Sequence, residues 1–212
     1  MAAHYIVIEG AIGVGKSSVV ERLAERMEAR TVMEEWGQNP FLTPFYEGRP
    51  GAAFQIELFF LLSRYRQQQE LTQRTLFQSF TLSDYVFEKS KLFAFLNLDD
   101  SELLIYEKLY SLLAEGVPRP DLVVYLQAPT EVLMKRIHDR GRPEETRLSE
   151  EYLAEVNRAY NYYFFHYGQT PLLVVNTADV DLVKNEEDLD DLIRQVRSMG
   201  KGTQYYVPRG SK

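Results

Sequence analysis

The chain has 212 residues, 45% of them hydrophobic and 26% charged, which suits a globular α/β domain with a sizeable core. Its formal net charge of −7 argues against wrapping a nucleic-acid polymer, because like charges repel, but leaves room for a small anionic ligand held by clustered basic groups. The absence of cysteine excludes a disulfide framework and a cysteine-ligated metal. With no signal-peptide pattern and no apolar run of membrane-spanning length, the expectation is a cytoplasmic protein without a membrane partner.

Strand-like apolar runs fall at residues 5–9, 31–34, 79–83, 121–127 and 171–176. Helix-period segments lie between and after them, at residues 16–29, 54–72, 101–115, 130–140, 150–167 and 186–199. Runs such as Leu122-Val123-Val124-Tyr125-Leu126 are apolar throughout rather than alternating, as in parallel strands covered on both faces. The β/α alternation predicts a doubly wound, five-stranded parallel sheet flanked by helices. No repeat or low-complexity linker interrupts the chain, so residues 1–200 are expected to form one domain and residues 201–212 a loose C-terminal tail.

The first strand runs into Gly10-Ala11-Ile12-Gly13-Val14-Gly15-Lys16-Ser17, a complete phosphate-loop (P-loop) pattern that opens a helix. Glycines let the backbone curl until its N–H groups converge on phosphate oxygens, and the helix N-terminus adds partial positive charge. Lys16 then reaches the β- and γ-phosphates of ATP, the Ser17 hydroxyl can ligate Mg²⁺, and Ser18 follows in the first turn. A P-loop alone does not say what becomes of the phosphate.

Glu34 and Glu35 stand where the second strand should end, the side on which open parallel sheets bind ligands. Solvated loop carboxylates would look the same. The stretch Asn39-Pro40-Phe41-Leu42-Thr43-Pro44-Phe45-Tyr46 is aromatic enough to wall a ring-shaped ligand, with Tyr46 offering a hydroxyl. On the long helix that follows, Glu57 and Arg64 are seven residues apart and share a stripe, whereas Gln55 lies nearly opposite Glu57. Charges in so apolar a helix need a partner or a ligand. Asp84 ends the third strand, where an acidic residue opposite a P-loop can complete a magnesium site or simply cap a helix.

Arg136, Arg140 and Arg142 gather ahead of Gly141 and Pro143. Arginines there can merely answer the helix dipole. Three within seven residues predict instead a hinged anion clamp, a lid spanning about residues 136–148 that closes on the transferring phosphoryl group. Glu144 and Glu145 follow on the lid, placed to pair with these arginines or to face a substrate.

Taken in order and spacing, these segments resemble the deoxynucleoside kinase family, most closely its bacterial deoxyguanosine/deoxyadenosine kinase type. The resemblance runs from the P-loop through Phe59-Phe60-Leu61-Leu62-Ser63-Arg64, Ser83-Asp84-Tyr85 and Arg140-Gly141-Arg142-Pro143-Glu144-Glu145 to Gly202-Thr203-Gln204-Tyr205-Tyr206-Val207-Pro208. It implies an ATP- and Mg²⁺-dependent salvage kinase that phosphorylates the 5′-hydroxyl of a small deoxynucleoside and is commonly a homodimer. By the same resemblance Glu34 is the general base, Tyr46 and Glu145 hold the sugar 3′-hydroxyl, and Glu57 takes the place of a base-reading glutamine with Arg64 near the base. Asp84 helps hold Mg²⁺, Arg136 belongs to the phosphate clamp with Arg140 and Arg142, and the loop at Asp179 and Asp181 meets the ATP adenine.

The chain departs from that pattern in places. Glu35-Trp36 replaces the Pro-Val of many relatives, and Tyr85 stands where many carry arginine, leaving Lys89 as a candidate substitute. Gln55 remains an alternative base reader. An ionised Glu57 accepts two hydrogen bonds and so matches the paired N1–H and N2–H donors of guanine, which favours deoxyguanosine over deoxyadenosine. Rival readings are a nucleoside monophosphate kinase of the thymidylate kinase kind and a P-loop switch ATPase.

Overall fold

The computed structural model describes residues 5–74 and 80–208. Ser79, at the head of the predicted third strand, and positions 209–212 of the expected tail lie outside the described residues. The chain runs β1 (Tyr5–Glu9), α1 (Lys16–Met27), β2 (Arg30–Val32), α2 (Leu42–Tyr46), α3 (Ala52–Arg74), β3 (Thr81–Ser83), α4 (Lys89–Asn97) and α5 (Asp100–Ala114). It continues with β4 (Leu122–Gln127), α6 (Thr130–Arg140), α7 (Glu150–Phe165), β5 (Leu172–Asn176), α8 (Glu186–Ser198) and β6 (Thr203–Tyr206). Short 3₁₀ turns form at Trp36–Gln38 and Pro143–Arg147.

All strand pairings are parallel, in the order β2-β3-β1-β4-β5-β6. β1 and the first five residues of β4 are wholly buried, as expected of strands covered on both faces. The doubly wound parallel sheet is as predicted, but among the described residues it has six strands rather than five. The sixth comes from the expected loose tail, where Thr203-Gln204-Tyr205-Tyr206 pairs with β5. Its residues are β-prone yet three of the four are exposed, so this edge strand lacks the apolar signature that marks the central ones.

Among the described residues two apolar clusters form the core. The larger packs both sheet faces, with Ile8, Leu23, Leu82, Val124, Leu153 and Leu192 buried. The smaller joins α3, α4 and α5 through Leu61, Phe87, Ala94 and Tyr106. Helices α2 and α4 were not predicted: α2 is a single turn containing Pro44, and α4 is nine residues of mixed polarity. The predicted starts of α5 and α7 hold because Asp99 forms a capping box with Glu102 and Ser149 accepts from the Tyr152 N–H.

Candidate active site

β1 delivers its buried Glu9 to the mouth of the P-loop, where the carboxylate accepts from the backbone N–H of Gly10 at 2.8 Å and of Val86 at 3.0 Å. This ties the loop to the segment after β3. Two glycines are required by space as well as by φ. A Cβ on Gly10 (φ 154°) would stand 2.5 Å from the Leu126 carbonyl oxygen, and one on Gly13 (φ 86°) 2.8 Å from that of Leu133. Helix α1 begins behind Gly15 without a side-chain cap, so its first N–H groups remain available to an anion. Lys16 folds back over the loop and donates to the carbonyls of Gly10 (2.7 Å) and Ala11 (3.2 Å). Burial, followed by the neighbouring Lys89, lowers the Lys16 ammonium to about 8.

Beside the loop, the Ser17 hydroxyl donates to Asp84 Oδ2 at 2.6 Å, and Asp84 Oδ1 accepts from the Glu34 N–H at 2.7 Å. The strand order makes this possible: β3 lies between β1 and β2, so Asp84 emerges between the P-loop and the end of β2. A hydroxyl and a carboxylate converging here form an oxygen donor set suited to Mg²⁺, which takes few protein ligands and completes its shell with phosphate and water. Among the described residues there is no cluster of three or more histidine or acidic side chains suited to a metal.

Glu34, rather than Glu35, enters the cleft. Its Oε1 accepts from Arg64 Nε at 2.8 Å and Nη2 at 2.5 Å, and its Oε2 from Lys89 Nζ at 2.7 Å. Burial alone would raise the carboxyl, but Lys89 and Arg64 outweigh it and hold Glu34 well below the usual carboxylate range. Lys89, the candidate substitute, thus places its ammonium on Glu34. Tyr85 itself is buried and donates to Gln67 at 2.7 Å. Glu35 pairs instead with Arg66 and accepts from Ser63.

The shared stripe of Glu57 and Arg64 does not become an ion pair. Arg64 takes Glu34 and the Ser90 hydroxyl, while Glu57 Oε1 accepts from the Asn97 amide at 2.7 Å. Glu57 Oε2 is buried and has no hydrogen-bond partner among the described residues. Glu57 lines the same cleft as Lys16, Glu34, Tyr46, Arg64 and Glu145. Gln55, the alternative reader, is exposed and does not line the cleft, because it points from the opposite side of α3. Burial raises the Glu57 carboxyl to about 7, the Asn97 hydrogen bond offsetting part of the effect.

This shift bears on stability. The folded-state value of Glu57 lies above its unfolded value, so folding favours the protonated form. The associated stability is present below the unfolded value and is lost as pH rises through about 7. Glu57→Gln is therefore expected to be more stable than the parent at about pH 8, by on the order of 3 kcal/mol, and to lose that advantage near about pH 4.5. Urea unfolding at the two pH values checks this, and an equal difference at both would refute it.

The arginines divide their work. Arg136 donates to the carbonyls of Thr177 (2.6 Å), Val180 (3.2 Å) and Val14 (3.4 Å), joining the P-loop to the segment after β5 rather than reaching out with the lid. Arg140 pairs with Glu145 at 2.6 Å, and the Arg142 guanidinium lies 4.0 Å from the centre of the Trp36 ring. Arg147 bridges to Glu47 at 2.8 Å, so the Pro143–Arg147 turn rests on the end of α2. The Glu144 side chain lies outside what the structure describes. Tyr46, raised to about 12 by burial and then by Glu145, is a hydroxyl donor at neutral pH. A second groove beside the P-loop is lined by Gly15, Ser18, Arg136, Thr177 and Asp181, whereas Asp179 is exposed and outside it.

Sequence reasoning missed Asn97, Tyr152 and Trp36 as members of the cleft. It noted Lys89 only as a substitute. Asn97 and Tyr152 carry no local signal, since each matters only through a partner on another helix.

A family model described as "Deoxynucleoside kinase" matches residues 6–200. A deoxyguanosine kinase of Bacillus subtilis (strain 168) is 31% identical over 202 residues, covering 93% of this chain and 98% of the relative. A deoxyadenosine/deoxycytidine kinase of the same organism is 28% identical over 204 residues, covering 92% of each chain. Among solved structures, a deoxyadenosine kinase from M. mycoides with bound dATP superposes with a TM-score of 0.76 at 22% identity, covering 91% of this chain and 97% of that one, a likeness of fold.

Proposed function

This chain belongs to the deoxynucleoside kinase family, and we propose that it moves the γ-phosphate of ATP to the 5′-hydroxyl of a purine deoxynucleoside, deoxyguanosine ahead of deoxyadenosine. The observation that carries this reading is the meeting, in one cleft, of the P-loop with a buried carboxylate, one of whose oxygens has no partner among the described residues. A buried acceptor without a donor calls for a ligand that brings one, and guanine brings N1–H and N2–H. The B. subtilis relative that is a deoxyguanosine kinase supports the same choice.

Each residue then has a task. Lys16, Ser17, Ser18 and the N–H groups of residues 10–15 bind the phosphates, and the groove at Arg136 and Asp181 takes the adenosine end of ATP. Ser17 and Asp84 hold Mg²⁺, which when bound draws off charge from the β- and γ-phosphates. Glu34 orients the 5′-hydroxyl and accepts its proton, and Tyr46 with Glu145 grips the sugar. Arg140 and Arg142 exchange their present partners for the transferring group, since phosphoryl transfer is mostly positioning and charge stabilisation. On the same reading the chain pairs as a homodimer through α4 and α7, where Phe95, Tyr162 and Phe165 are exposed. Among the described residues no helix is long and apolar enough to cross a membrane.

A monophosphate acceptor would need its own cation, yet Arg64 and Lys89 are both committed to Glu34. The test is ADP release from ATP and Mg²⁺ with each of the four deoxynucleosides or thymidylate. Release driven by deoxyguanosine, and less by deoxyadenosine, is expected. Release with thymidylate alone would move the chain to the monophosphate kinases, and release without any acceptor to the switch ATPases.

A further inference from the structure

Glu57 differs from the carboxylates of Glu34 and Asp84 in the same cleft in its partners. Glu34 is met by two cations, and Asp84 by a hydroxyl and an N–H. Glu57, 2% exposed, is met by one neutral amide on one oxygen and, among the described residues, by no hydrogen-bond partner on the other. The amide's orientation is set from behind: the Tyr152 hydroxyl donates to Asn97 Oδ1 at 3.1 Å, which leaves Asn97 Nδ2 to donate to Glu57. The chain Tyr152–Asn97–Glu57 thus links α7, α4 and α3.

The charged and titratable groups that act on Glu57 are Arg64 on its own helix, Glu34 after β2, Lys89 on α4, Tyr46 on α2, Tyr106 on α5 and Tyr152 on α7, and Arg140, Arg142 and Glu145 line the same cleft from the lid. Arg64 and Lys89 spend their charge on Glu34, so neither cation touches Glu57. A carboxylate so enclosed and so poorly compensated gives up its charge readily. Consistently, burial brings its titration to about 7.

The two protonation states present different faces to a base. Ionised, the carboxylate offers two acceptors and matches the N1–H and N2–H donors of guanine. Protonated, it offers one donor and one acceptor and matches the N1 acceptor and amino donor of adenine. A mismatch leaves a buried polar pair unsatisfied, which discriminates strongly. We infer that Glu57, held by the Tyr152–Asn97 relay, is a protonation-controlled selector, favouring deoxyguanosine at alkaline pH and deoxyadenosine at acid pH. Asn97 is its positioning residue. The inference rests on Glu57 as the base reader and adds to that reading the dependence on pH.

The test is the ratio of kcat/KM for deoxyguanosine over deoxyadenosine between about pH 6 and about pH 8, in the parent, Glu57→Gln and Asn97→Ala. In the parent the ratio is expected to rise with pH by between about ten- and a hundredfold. Glutamine is a fixed donor–acceptor, so Glu57→Gln should favour deoxyadenosine at every pH with a flat ratio. Loss of the Asn97 donor removes a bond that favours the charged form, so Asn97→Ala should move the midpoint upward; an unmoved midpoint would remove Asn97 from the device. A flat ratio in the parent, with Glu57→Gln still altering base preference, overturns the selector but leaves the base-reading role. A ratio unchanged by Glu57→Gln at all pH values overturns that reading as well. A parent and a Glu57→Gln variant that vary in parallel would assign the titration to another group and also overturn the selector.

Discussion

Glu34→Gln is expected to lower turnover by about 10²- to 10⁴-fold while leaving ATP binding largely intact. The geometry explains both halves. Among the described residues Glu34 bonds Arg64 and Lys89 rather than the P-loop, so the substitution removes no direct contact to the phosphate site; its charge reaches Lys16 only through space, favouring the charged ammonium. With Arg64 and Lys89 on its two oxygens, Glu34 is a firmly ionised carboxylate and, unliganded, a weak base. On the proposed reading it gains basicity when the incoming 5′-hydroxyl displaces one of these donors. Because phosphoryl transfer proceeds through a loose transition state, much of its value lies in orienting that hydroxyl.

The substitution has a second effect, which must be measured beside the first. A neutral amide in place of the Glu34 carboxylate would leave two buried cations without their anion, and breaking such an arrangement is worth about 3–5 kcal/mol of stability. The folded-state pKa of Glu34 lies below its unfolded value, so its contribution is present above the unfolded value and is lost only as pH falls toward the folded one. Thermal unfolding and ATP binding at neutral pH, recorded beside kcat, separate folding loss from chemical loss. Turnover unchanged in folded, ATP-binding protein would remove Glu34 as the proton acceptor and leave Asp84 in that role.

Lys16→Ala is expected to lower kcat by about 10²- to 10³-fold and to weaken nucleotide binding. In the structure Lys16 caps the P-loop by donating to the Gly10 and Ala11 carbonyls, a resting place it can exchange for phosphate oxygens. Its charge is the one on the loop itself, and the cations around it are engaged elsewhere: Lys89 and Arg64 hold Glu34, and Arg136 holds the backbone after β5. In the parent, Lys16 loses its proton above about pH 8 when unliganded, so nucleotide affinity should fall on that alkaline side and the fall should vanish in the variant. Titrating ATP binding across pH, with ADP release at saturating deoxynucleoside, checks both statements. A loss of kcat below about tenfold would overturn the assignment.

The legible parts of this protein are those whose causes are local. The P-loop could be read because its glycine conformations, its lysine and the helix behind it lie within a few residues. Central strands and long helices could be read because burial on both faces, or on one stripe, leaves a periodic mark. β6 escaped because an exposed edge strand carries little such mark, and α2 and α4 because they are short and of mixed polarity. Glu34 and Glu57 could be named from their positions, but not their partners. Arg64 stands 30 residues from Glu34, Lys89 stands 55 from it, and Asn97 stands 40 from Glu57.

By itself, then, the order of residues determined a doubly wound parallel sheet with a P-loop at the end of its first strand and carboxylates where ligands bind. Tertiary structure decided which partners each carboxylate meets. The sheet places β3 between β1 and β2, which brings Asp84 to Ser17 and to the Glu34 backbone. The packing of α4 against α3 gives Lys89 to Glu34 and Asn97 to Glu57. Two glutamates alike in chemistry are thereby driven apart, one held ionised by cations and one left near neutrality by burial, because a carboxylate's proton affinity is set by the partners that surround it in space and not by its neighbours along the chain.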